Sequence, residues 1–561
     1  MMKIGPALPP LSTLVSVLCL AAATSLLGGC GSEQAADERN NAVDYSARPL
    51  PAKLSAQADE ARESIGAAPM FKAKPRIGVM PVQYQSPELA GDRYAKAESS
   101  RVHSVAEAPL TTFSIDVDTA SYANVRRFVV NGRLPPKGAV RAEEFINYFT
   151  YGFSQSAKAS AASPFKLSYE VAKSPWNSDR QLLMLALDSS AVELVHKPSN
   201  LVFLLDVSGS MNSPDRLPLV RRSLKMLLTQ LDDQDRVAIV VYAGAAGVVL
   251  EPTRANERAT IVGALEQLSA GGSTNGGEGL RQAYRLAQQA FIEGGNNRVI
   301  LATDGDFNVG VSGTDELREL VQRQAKQGVE LTVLGFGRGN YNDQMMEQIS
   351  NWGNGNAAYI DTLLEARKVL VEQLGATLQT VASDVKIQLE FNPQQVTEYR
   401  LIGYQNRMLA NEDFNNDKVD AGEIGAGHTV TAIYELTLTG AKQPWLPALH
   451  YAKGEAESSQ ASATEYGLMK LRYKLPGQSQ SRLVSFPLRV QTETVGSVDF
   501  NFAAAVAAYA ERLCCDKYLG DFAYAAIEQL AQQGRGDDIA GYRAEFIRLV
   551  QQTALIEGVE D

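Results

Sequence analysis

Hydrophobic and polar positions change rhythm several times along this chain. An apolar stretch from Leu11 to Leu27, with Val15, Val17, Leu18 and Leu20, gives way at Cys30 to polar residues. From about Gly31 to about Ala108 the chain is rich in Ala, Glu, Ser, Pro and Gln and has few aromatic or β-branched residues. Such a segment cannot bury enough apolar surface to offset its conformational entropy, so it reads as a tether. Order is expected from Thr111. Thr112-Phe113-Ser114-Ile115-Asp116-Val117-Asp118-Thr119-Ala120-Ser121-Tyr122 reads as a strand running into a helix that continues through Val125, Phe128 and Val129. Leu134-Pro135-Pro136 breaks it. A second helix is expected over Arg141–Phe149, followed by strand alternation at Phe165, Leu167, Tyr169 and Val171.

The middle of the chain alternates strands and helices. Leu201-Val202-Phe203-Leu204-Leu205 is a continuous apolar run, as expected of a strand buried on both faces of a parallel sheet. Leu217, Val220, Leu224, Leu227, Leu228 and Leu231 then recur at helical spacing. Further strands are expected at 237–242, 248–250, 299–301, 331–336 and 359–360, with helices at 279–292, 317–327, 345–349 and 363–378. This order predicts an α/β open sheet of mostly parallel strands, in which ligands bind beyond the carboxyl ends of the strands. The last third changes to period-two alternation at Val385–Phe391, Val430–Leu438 and Met469–Tyr473, and Leu483, Ser485 and Pro487 end another run. It becomes helical at 502–513, 522–532 and 542–551. A β-rich domain ending in helices is expected there.

Chemistry sharpens the picture at the N-terminus. Lys3, the short apolar core and Leu27-Gly28-Gly29-Cys30 have the layout of a secretory signal rather than a spanning helix. Leu-small-small-Cys resembles the lipobox of bacterial lipoproteins, which implies acylation of Cys30 and a lipid anchor in the cell envelope. Gly31, which is not acidic, implies by the same resemblance an outer-membrane location facing the periplasm if the source is Gram-negative. The four cysteines form no disulfide framework and no metal-ligating spacing. Adjacent Cys514 and Cys515 read as two small buried thiols, with a vicinal disulfide as the alternative. The net charge of -11 argues against a nucleic-acid partner.

Three loops at the carboxyl ends of the central strands carry oxygen donors: Asp206-x-Ser208-x-Ser210, then Gly271-Gly272-Ser273-Thr274, then Asp304. Their order and spacing resemble the metal-ion-dependent adhesion site of von Willebrand factor A (VWA) domains, over about Ser199 to Thr380. The resemblance implies that Asp206, Ser208, Ser210, Thr274 and Asp304 hold Mg²⁺, or Mn²⁺ or Ca²⁺, and that a protein partner completes the metal with a carboxylate. The donors suit it, since hard divalent cations take oxygen ligands. Glu278 opens the following helix, where an acidic group suits the positive end. The stretch from Thr112 through Glu143-Glu144-Phe145-Ile146-Asn147-Tyr148-Phe149, and the region from about Ser383 onward, resemble the modules that flank VWA in a family of bacterial VWA lipoproteins.

The implied organisation is a signal peptide (1–29), a tether (30–108), a small α+β N-terminal module (109–197), a VWA domain (198–380) and a C-terminal β-rich and helical domain (381–561). Enzyme motifs are lacking. The four histidines fit no Ser-His-Asp pattern, and there is no P-loop and no His-Glu-x-x-His. Asp116-x-Asp118-Thr119 is read as turn and helix-capping residues rather than a phosphatase nucleophile. Asp413–Asp420 fails the EF-hand pattern at Lys418 and Ile424 and is read as a polar hairpin loop. A binding module, not an enzyme, is expected. The alternative is a metal-assisted hydrolase or an accessory subunit of an envelope enzyme.

Overall fold

The computed structural model describes residues 91–561, apart from 97–98, 116–117, 154, 158–162, 190–196, 273–275, 306, 308–313, 448–463, 492–494 and 561. Cys30, the signal-like segment, nearly all of the tether and Thr274 lie outside the described residues. Among those described, no helix is long and apolar enough to cross a membrane.

The central domain is a six-stranded sheet. Its strands run in the order Ala357–Ile360, Glu330–Phe336, Asn296–Thr303, Ser199–Asp206, Arg236–Tyr242 and Ala246–Arg254. Five are parallel, and the edge strand Ala246–Arg254 is antiparallel. That edge strand is longer than the 248–250 segment expected from sequence. The apolar run at Ser199–Asp206 is buried throughout because helices cover both faces of the sheet. Leu201, Phe203 and Leu205 pack with the helix Leu217–Leu227, while Val202 and Leu204 pack with the helix Gly276–Gln289. Chain order reverses between Ser199–Asp206 and its neighbour Asn296–Thr303, which opens a crevice at their carboxyl ends.

The segments before and after this domain share one architecture. One antiparallel sheet runs His103–Ser104, Val396–Ile402, Thr429–Leu438, Gln181–Asp188, Lys166–Lys173 and Gln155–Ala157. A second joins Gly422–Gly425, Thr380–Phe391, Glu465–Lys474 and Arg482–Arg489, and Leu110–Ser114 pairs with Thr380–Phe391. The stretches 109–197 and 381–561, separate modules by sequence, thus interleave strands in common sheets with the central domain inserted between them. The reason lies in Gln181–Asp188, an element that sequence alone did not reveal. Leu183, Leu185 and Leu187 enter the core between the sheets. Leu182, Met184 and Ala186 face the C-terminal helices Val498–Cys514, Tyr524–Gln533 and Tyr542–Glu560. Neither half of the chain buries this strand alone.

Four sequence expectations change in detail. In Arg482–Arg489 the buried face is Val484, Phe486 and Leu488, not Leu483, Ser485 and Pro487. The loop 413–420 is a crossover between the two sheets rather than a hairpin. The Lys386 ammonium donates to the carbonyls of Asp413 and Asn416, and that of Lys474 to the carbonyl of Asp417, so two lysines tie the loop down through its backbone. Asp118 does not cap the helix Ala120–Val130. Its Oδ1 accepts from the backbone N–H of Ala357 (2.9 Å), and Glu144 takes the N–H of Ser121 in the first turn of that helix (2.8 Å). Cys514 and Cys515 are half-buried and bonded to each other rather than free thiols.

The expected helix 363–378 is divided into Leu363–Arg367, a π turn at Lys368–Glu372 and Leu374–Leu378. The widened turn carries Lys368, which is buried and donates to the Tyr148 carbonyl, with its ammonium 2.9 Å from the Tyr148 ring centroid. Burial pulls its pKa down to about 7, against the opposing pull of Glu365. The unfolded chain holds this proton to far higher pH, so stability rises with pH above about 7 by ~1.4 kcal/mol per unit. Lys368→Met is therefore expected to be more stable than the parent at pH 7, with the gap narrowing by pH 9. Denaturant titrations at pH 7, 8 and 9 check this, and a constant gap contradicts it.

Candidate metal centre

The site is assembled at the crevice where the central sheet changes direction. Asp206 ends its strand level with Tyr242, and Leu205 pairs with Ala302, which brings Thr303 and Asp304 alongside Asp206. Asp206 Oδ1 accepts from the backbone N–H of Ser208 (2.8 Å), a local turn that aspartate side chains favour. That turn leaves the hydroxyls of Ser208 and Ser210 3.0 Å apart. Thr303 Oγ1 donates to Asp206 Oδ2 (3.4 Å) and accepts from the N–H of Gly305 (3.1 Å), so one hydroxyl ties the first loop to the third.

The second loop is bound to the first by backbone. Gly271 N–H donates to the Val207 carbonyl (2.7 Å), and Gly209 N–H donates to the Gly272 carbonyl (3.0 Å). These bonds hold Gly271 and Gly272 against the backbone of the first loop. Glycine is required at two of the joints. Gly305 has φ +98°, and a Cβ there would lie 2.6 Å from the Asn340 carbonyl oxygen. A Cβ on Gly276, at the start of the helix after the second loop, would lie 2.5 Å from the Phe307 ring of the third loop. Glu278 falls in the first turn of that helix, where its charge suits the positive end.

The electrostatics are those of a site short of positive charge. The Asp206 and Asp304 side chains are both fully buried. Burial pushes the Asp206 carboxyl up to about 6, and the charge of Asp304 adds to the rise, while the hydrogen bond from the Ser208 N–H opposes it. Two buried carboxylates close together are unfavourable unless a cation or a proton joins them. Among the described residues no three His, Cys, Asp or Glu side chains gather. The set depends instead on two carboxylates and neutral hydroxyls. Hard oxygen donors of this kind suit Mg²⁺ or Mn²⁺. The structure thus brings together Asp206, Ser208, Ser210 and Asp304, while the fifth expected ligand, Thr274, is not described.

Two further residues complete the centre that the sequence pattern did not single out: Thr303 and Arg216. Thr303 adjoins Asp304 in sequence and so was within reach. Arg216 carried no signal. Its Nη1 donates to the Ser210 carbonyl (2.6 Å) and lies 2.8 Å from Asp304 Oδ2, an ion pair rather than a directed hydrogen bond.

Comparison with known proteins identifies the central domain. The von Willebrand factor type A domain family matches residues 200–373. A von Willebrand factor family matches 88–184, and the family described as uncharacterized protein YfbK, C-terminal, matches 376–556. Uncharacterized protein YfbK of Escherichia coli is 49% identical over 476 residues, covering 84% of this chain and 82% of its own length. Inter-alpha-trypsin inhibitor heavy chain H3 of Homo sapiens is 25% identical over 43% of this chain and 29% of its own. Among solved structures, a von Willebrand factor type A protein from Catenulispora acidiphila covers 70% of this chain and 91% of itself at 16% identity, with a TM-score of 0.37. The chain belongs to the family of Escherichia coli YfbK, in which a VWA domain is joined to an uncharacterised C-terminal domain.

Proposed function

We propose that this protein is a lipid-anchored envelope protein that binds a protein partner through a divalent cation held by Asp206, Ser208, Ser210, Thr274 and Asp304. The convergence of two buried carboxylates with the paired hydroxyls of Ser208 and Ser210 at the sheet crevice carries the reading. When bound, Mg²⁺ or Mn²⁺ supplies a Lewis-acidic position for a carboxylate from the partner. The chain's own residues do the rest. Asp206 and Asp304 supply charge, the hydroxyls supply neutral oxygen, and Thr303 and the Val207–Gly271 bond hold the loops in place. VWA domains in general are protein-interaction modules, which is the coarser part of the same reading. Acylation of Cys30 would hold the protein in the envelope of its bacterium, at the periplasmic face of the outer membrane in a Gram-negative cell, and the long tether would let the site reach its partner.

Crosslinking in intact cells tests the proposal. The parent protein is expected to capture a discrete partner, with capture lost on chelation and lost in Asp206→Ala. Capture that survives both treatments contradicts it.

A further inference from the structure

Arg216 is built into the centre from three sides. It directly precedes the helix Leu217–Leu227, and its side chain is only 11% exposed. Its guanidinium meets the Ser210 carbonyl of the first loop, Asp304 of the third, and the Arg338 carbonyl of the loop after Glu330–Phe336. The channel that admits it requires glycine at 337, which has φ +72°. A Cβ there would lie 2.3 Å from Arg216 Nε and 2.4 Å from Cγ. The fold therefore keeps room for this one side chain and aims it at a proposed metal ligand. A guanidinium fork is suited to the task, because one planar group serves a carboxylate and two carbonyls together.

Charge gives the arrangement a consequence. Asp206 and Asp304 bring two negative charges, the serines bring none, and Arg216 returns one positive charge. The described groups sum to one negative charge. A divalent cation added to them leaves one positive charge, which one carboxylate from a partner neutralises. Without Arg216 the same cation is already neutralised by the two carboxylates, so a partner's carboxylate is drawn to it less strongly.

We propose that Arg216 is a positioning residue that holds Asp304 and sets the charge of the centre, weakening the grip on the cation so that the bound cation favours an acidic partner. The inference rests on the metal reading above and adds to it a determinant of partner chemistry.

The test uses the full-length protein in detergent, with Mn²⁺ as the metal probe and glutarate as the carboxylate probe. Mn²⁺ affinity is read from the electron paramagnetic resonance signal of the free ion. Glutarate binding is read from the loss of water-proton relaxation enhancement at bound Mn²⁺. Arg216→Met is expected to bind Mn²⁺ about tenfold or more tightly and to lose glutarate affinity by a similar factor, as removal of one nearby charge from a buried site implies. Arg216→Lys keeps the charge and is expected to stay near the parent in Mn²⁺ affinity. Arg216→Gln, which retains a donor for the Ser210 carbonyl, repeats the measurement if the methionine variant does not fold. Unchanged or weaker Mn²⁺ binding in a folded neutral variant overturns the role of Arg216. Absence of Mn²⁺ binding in the parent and every variant instead overturns the metal reading itself.

Discussion

Asp206→Asn is expected to make the metal-free protein more stable at pH 7 while abolishing its stabilisation by Mn²⁺. Both effects follow from one buried carboxylate. Burial and the neighbouring Asp304 raise the Asp206 pKa from 3.8 to about 6. A carboxyl whose folded-state pKa is raised contributes stability that is fully present below its unfolded value and lost as pH rises through the folded one. In the metal-free protein that loss falls between about pH 4 and pH 6 and amounts to ~3 kcal/mol. Asparagine keeps an oxygen for the Ser208 N–H but carries no charge, so the variant escapes the loss. It also loses a charged donor that the cation needs. Mn²⁺ at a hundred times its dissociation constant stabilises the parent by ~2.7 kcal/mol, and this term should vanish in the variant. Calorimetry at pH 7, in chelator and then in Mn²⁺, separates the two effects. A variant less stable than the parent in chelator, or one still stabilised by Mn²⁺, contradicts the account.

The second large effect is expected far from the metal centre. Arg400 is wholly buried between Glu435 (2.8 Å) and Glu511 (2.7 Å), and Trp176 donates to the other oxygen of Glu435 (2.9 Å). This group joins the strands Val396–Ile402 and Thr429–Leu438 to the helix Val498–Cys514. Removing only the cation strands two buried carboxylates, so Arg400→Met should lose ~3–5 kcal/mol. Replacing all three charges together, as Arg400→Met with Glu435→Leu and Glu511→Leu, should recover most of that loss, because the penalty comes from unpaired charge rather than from lost attraction. Urea denaturation of the two variants decides. Similar losses in both would mean that shape, not charge, governs this position.

The central domain was the most legible part of the chain. Leu201–Leu205 announces a strand buried on both faces, and Asp206, Ser208 and Ser210 lie within five residues at its end. Four of the five expected ligands can be compared with the structure, and they meet at the crevice that the strand order creates. Arg216 could not be read, because its partner Asp304 is close only after the strands Ser199–Asp206 and Asn296–Thr303 pair. The strand Gln181–Asp188 escaped for a different reason. It is apolar at every second position and also in between, since one face meets a sheet and the other meets helices, and alternation is then no guide. In Arg482–Arg489 the pattern was seen in the wrong phase: Leu483 and Pro487 alternate as convincingly as Val484 and Phe486, and only pairing with Glu465–Lys474 decides which face is inside. The shared sheets of 103–188 and 380–489 are invisible locally, since their strands pair across the inserted domain.

Anomalous scattering from crystals grown with Mn²⁺ shows whether the three loops hold a divalent cation. A single strong peak is expected in the crevice, within coordination distance of the Ser208 and Ser210 hydroxyls and Thr274, with Asp206 and Asp304 beside it. A crevice without a peak at saturating Mn²⁺, or a peak held by other residues, would contradict it.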